Sequence, residues 1–147
     1  WMEARDTALL ERGMPLGEYL WIYTTAYHSW LGRAPDDVPA AFTGEGAEQI
    51  RIEGDSPLDP DQLWARYRHT VRALVSNQLR TLPADDPPSP RRLRLEDELE
   101  ALAQDRRHVL FADDGLPEAM VVLYEPHREA LERTYSSATN ALELPRR

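Results

Sequence analysis

Trp21, Thr24, Thr25 and His28 fall within about 100° of arc when their segment is wound as an α-helix, at about 100° per residue. An indole ring, two hydroxyls and an imidazole on one face suit a small polar or aromatic ligand, and Tyr23 and Tyr27 stand close enough to contribute. These six side chains are the candidate binding residues. The plainer alternative is that Thr and His simply face solvent on a half-buried helix.

Other chemistry is sparse. His28, His69, His108 and His127 are far apart in sequence, with neither an HExxH nor an HxxxH spacing to hold zinc. Glu125, His127 and Glu129 alternate around Pro126, which puts both carboxylates on one helical face and the imidazole off it, as on a solvated charged helix. Asp36-Asp37, Asp85-Asp86 and Asp113-Asp114 read as turn chemistry, and Asp59 with Asp61 as helix capping. No EF-hand run and no G-x-S-x-G is present. The complete lack of Lys excludes S-x-x-K and the phosphate-binding G-x-x-x-x-G-K. The glycines at 44 and 46 lack the rest of a dinucleotide fingerprint. The basic run 91–94 opens a helix, where the dipole disfavours cations. Pairing with Asp85 and Asp86 is the simpler account of it, and contact with an anion the other. No metal, cofactor or catalytic residue is expected.

The candidate residues lie in YLWIYTTAYHSW, residues 19–30, which holds five of the chain's twelve aromatics. Leu16, Tyr19, Leu20, Tyr23, Tyr27, Trp30 and Leu31 share a broad face, so Tyr19, Tyr23 and Tyr27 should stack along one line of a helix over 16–32, capped near Gly32. Trp21 and Ile22 point elsewhere. A helix apolar on more than one side is central and packed by several neighbours.

Four further helices surround it. Residues 2–12 carry helix formers ahead of Gly13, a C-terminal stop. Asp59-Pro60-Asp61 combines a cap, a proline suited to the first helical position and a carboxylate at the positive dipole end. The helix it opens buries Leu63, Tyr67, Val71 and Leu74, and places Gln78 at the centre of that face as a partner for a tyrosine hydroxyl. Ser89-Pro90 repeats the start signal before Leu95, Leu99 and Leu102. The last helix begins at Pro117 and must kink or break at Pro126. Residues 33–57 read as an irregular segment, 83–90 as a proline-rich connector, and 136–147 as a tail docked through Leu142 and Leu144. Ile50 and Ile52 alternate as in a short edge strand, and with Val109 and Phe111 they suggest a minor two-stranded ribbon. The expected fold is therefore mainly α: one domain, residues 1–147, with about five helices bundled around the aromatic-rich one.

A length of 147 residues fits one domain with a core of its own. The chain opens on Trp1, which points to a longer precursor. No apolar run reaches the ~18 residues of a membrane span. All seventeen basic residues are Arg, which suggests a GC-rich bacterial coding bias, and the net charge of −9 argues against nucleic acid. Without Cys there is neither a disulfide framework nor a thiolate nucleophile. Aromatic excess, acidity and missing catalytic signatures lead to a non-enzymatic helical interaction domain, working through a protein partner or a second copy of itself. A small-molecule-binding domain, with its pocket beside helix 16–32, is the alternative.

Overall fold

The computed structural model describes residues 2–39, 59–84, 87–104 and 106–143, and the side chains of 2, 139, 141 and 142 lie outside that description. The protein is mainly helical, as its sequence leads one to expect. α1 spans Met2–Glu11. α2 spans Leu16–Tyr23 and continues as a π-helix over Thr24–Trp30. α3 spans Pro60–Thr81 and α4 Pro90–Ala103. α5, Glu118–Tyr124, passes through a 3-10 turn at Glu125–His127 into α6, Arg128–Thr134.

The start signals act as read. Asp59 accepts the Asp61 amide at 3.0 Å with Pro60 in the first turn of α3, and Ser89 accepts the Arg92 amide at 3.3 Å with Pro90 in the first turn of α4. Gly13 takes φ +66° just past α1, and Gly32 takes φ +64° just past the π-helix, the left-handed geometry that closes helices at low cost only for glycine. Pro126 replaces α-helical bonding with the 3-10 turn, because its ring has no N–H to give.

Leu63, Tyr67, Val71 and Val75, spaced by four, are all fully buried along α3. Leu95 and Leu102 of α4 join them in a core that also takes Trp64, Leu110 and Phe111, with Trp21 packed at its edge. Burial of each such side chain contributes roughly 1.5–3 kcal/mol before entropic costs. Among the described residues, no helix is long and apolar enough to cross a membrane.

Three expectations change. Residues 108–112 form no strand; they enter a turn at Leu110, and Phe111 adopts φ +59° there. Side chains hold this turn. Glu98, on α4, accepts the Phe111 amide at 2.9 Å and meets His108 Nε2 at 2.9 Å, while the Tyr67 hydroxyl accepts the Leu110 amide at 3.1 Å. The Ile50/Ile52 half of the ribbon lies outside the described residues, as do residue 144 and the Leu142 side chain. The tail contains a helix, α7, Ser137–Glu143. It is anchored by polar groups, since Asn140 is fully buried and Glu143 accepts an ion pair from Arg5 at 2.7 Å. Gln78 is only half-buried, and the tyrosine hydroxyls bond elsewhere.

Candidate functional site

The π-helix decides where the six candidate residues go. Its backbone bonds skip five residues, as in Leu31 N–H to Ala26 O at 2.9 Å, so the turn is wider than the α-helical one used to project the faces. Thr24 and Thr25 stabilise its start by donating back to the Leu20 and Trp21 carbonyls at 2.9 and 2.7 Å. Beyond Tyr23 the expected faces are exchanged. Thr24, Thr25, Ala26 and His28 are buried, whereas Tyr27 and Trp30 are only half-buried.

His28 is bound to protein on one side. Its Nε2 lies 3.0 Å from Asn140 Oδ1, which also accepts the Tyr23 hydroxyl at 3.0 Å, while Asn140 Nδ2 donates to Pro35 O at 2.8 Å and Ala34 O at 3.3 Å. With Nδ2 committed to carbonyls, Oδ1 is the acceptor, so His28 is the neutral tautomer protonated on Nε2. Its buried Nδ1 has no hydrogen-bond partner among the described residues. Burial lowers the imidazole pKa to about 4, against a smaller raising effect of the Asn140 bond. Thr25 reaches outward to the Tyr124 hydroxyl at 2.6 Å.

The tyrosine line is present. Ring centroids are 6.2 Å apart for Tyr19 and Tyr23, 4.9 Å for Tyr23 and Tyr27, and 5.3 Å for Tyr27 and Tyr135. These rings border a hollow of about 470 Å³. Burial first of all raises the hydroxyl pKa of Tyr23 and of Tyr135, which donates to Asp37 at 2.8 Å.

The larger hollow lies on the other side of Ile22 and Ala26: a groove of about 870 Å³. Trp21, Ile22 and Ala26 form one wall. Phe111 and Leu95 also line it, and Met120, Leu123 and Tyr124 of α5 supply a further wall, extended by Leu131 of α6. The volume falls in the range of small-molecule sites. Trp21 meets Phe111 edge to face, with centroids 6.2 Å apart, and the Arg94 guanidinium lies 4.9 Å over the same ring. α5 itself buries none of its residues, and Leu123 is 67% exposed.

Of the six candidates only Trp21 lines this groove; Tyr23 and Tyr27 line the smaller hollow, Thr25 is linked to the groove through Tyr124, and Thr24 and His28 belong to the interior. Sequence reasoning missed the walls from α4, α5 and the Phe111 turn. The available signal was MVVLY at 120–124, an apolar run too short to reveal which way it faces. No protein-family model, curated protein or solved structure matches this chain.

Proposed function

We propose that the protein binds a small, largely apolar molecule in the groove between the aromatic helix and α5. The observation that carries this reading is α5 itself. It places Met120, Leu123 and Tyr124 against Trp21, Ile22 and Phe111 across about 870 Å³ without burying any residue of its own. Apolar surface so arranged gains roughly 25 cal/mol per Å² when a ligand covers it. The strained φ of Phe111, held by Glu98 and Tyr67, keeps an aromatic floor in place there. Titration with the neutral fluorescent probe N-phenyl-1-naphthylamine tests the reading. Ala119→Trp puts an indole into the groove from an exposed position. It should weaken the probe at least about tenfold while leaving urea stability unchanged, and equal binding to the variant would remove the groove as the site.

The second reading is association with a protein partner or a second copy. It draws support from Val122 and Leu123, neighbours on α5 that are 64% and 67% exposed, because paired exposed aliphatics favour an interface. Sedimentation velocity of the wild type against Val122→Glu separates the two readings. A concentration-dependent oligomer that the charge abolishes favours association, and a monomer throughout leaves the small-molecule reading.

A further inference from the structure

Resting on the groove reading above, we propose that the ligand is an amphiphile with an anionic head, a long-chain carboxylate, whose head is held by Arg91 and Arg94 and whose chain lies along Trp21, Phe111 and Leu123. Charge carries this step. The chain has 26 acidic and 17 basic residues, yet among the described residues no Asp or Glu lines the groove. Its basic lining consists of Arg91, Arg94 and His127, and Tyr124 is the other titratable group there.

Arg91 and Arg94 are three apart on α4, so they project from one side of it, and both line the groove. Several other cations of the fold face carboxylates: Arg5 faces Glu143, Arg92 faces Glu96, Arg107 faces Asp36 and Asp61, and Arg128 faces Glu125. Arg91 and Arg94 make no ion pair among the described residues. Arg94 donates to the Gly115 carbonyl and lies over Phe111, which fixes its guanidinium beside the apolar floor, and its buried Nε has no partner there. A guanidinium pair beside an apolar trough matches a carboxylate on a hydrocarbon chain, since the fork geometry binds both oxygens while the walls cover the methylenes.

Displacement of N-phenyl-1-naphthylamine by three ligands of equal chain length tests this: dodecanoate, 1-dodecanol and dodecyltrimethylammonium, each below its micelle concentration. Dodecanoate should displace the probe at about tenfold lower concentration than the alcohol, with the ammonium weakest, and added salt should narrow the gap. Arg91→Gln should reduce the carboxylate preference severalfold, and this exposed position keeps the test independent of Arg94, whose replacement also disturbs the Phe111 turn. Equal displacement by dodecanoate and dodecanol overturns the anionic head and leaves the groove reading standing. A probe that never binds overturns both. Dodecanoate that acts only once presented in vesicles, and not as free monomer, overturns the soluble amphiphile in favour of a lipid surface.

Discussion

Asn140 Oδ1 and His28 Nε2, 112 positions apart in sequence, sit 3.0 Å from each other in the interior. That bond joins α7 to the π-helix, and the same amide ties both to the Ala34–Pro35 backbone. The helix in which sequence patterning places a ligand face is thus built around an internal polar hub.

Asn140→Ala should be among the costliest single changes. It leaves the Tyr23 hydroxyl, the His28 N–H and the Pro35 carbonyl without their partner, at roughly 1–3 kcal/mol for each group stranded. A loss of about 3–5 kcal/mol in urea unfolding is expected. Asn140→Asp keeps the acceptor but loses both donors, so it should recover only part of that loss.

Stability should fall as the medium is acidified, through His28. The folded pKa of about 4 is below the unfolded value near 6.5, so the unfolded chain binds the proton more tightly. The stabilising effect of the neutral imidazole is complete above about pH 6.5 and is lost as pH drops toward 4. This predicts about 2 kcal/mol less stability at pH 5 than at pH 7.5 from this group alone. Comparing the pH dependence of urea midpoints in wild type and His28→Gln isolates it; identical slopes would show that His28 does not titrate in this window.

Glu98→Ala should loosen the turn at 108–112 without unfolding the helices. The Phe111 amide and His108 both lose a buried partner, at a cost of about 2–4 kcal/mol. Hydrogen exchange at the Leu110 and Phe111 amides should accelerate by orders of magnitude more than at Val71 or Val75. Uniform acceleration would mean instead that the turn and the α3 core open together.

Gly32→Ala gives a cleaner case. A Cβ at this position would meet nothing within 4 Å, so the cost is conformational alone. A loss of about 1 kcal/mol in thermal or urea unfolding is expected from the left-handed φ of +64°. A neutral result would indicate that the backbone at 32 relaxes to a right-handed turn.

What the sequence discloses here is local, and what it conceals is tertiary. Asp59-Pro60 and Ser89-Pro90 satisfy amides within three residues, Gly13 and Gly32 carry their own backbone preference, and Pro126 lacks its own N–H, so each can be read in place. The aromatic concentration at 19–30 correctly marks a helical segment and an aromatic cluster. The faces of that helix cannot be read beyond Tyr23, because a fixed angle per residue fails once the bonding skips five. Asn140 sits in a stretch of poor helix formers and gains its place from groups more than a hundred positions away. Val109 and Phe111 alternate like a strand, but Glu98 and Tyr67 satisfy the backbone there and make a turn the better solution. The groove is the least legible feature, since it is defined by what α4, α5 and the Phe111 turn leave between them.

The ion pair between Arg5 and Glu143 closes a loop of 138 positions, and the Tyr23–Asn140 bond one of 117. α3 and α4 need only a short connector to find each other. Loop closure costs entropy that grows with the logarithm of length, so local pairs such as α3–α4 and α1–α2 are favoured early and the docking of α7 on α1 and α2 late. A nascent chain that has not yet released residue 143 therefore holds α2 with an unpaired imidazole and tyrosine on what will become its inner side. On that ordering, α7 is the piece that closes the fold, because its Asn140 supplies the polar partner of both Tyr23 and His28.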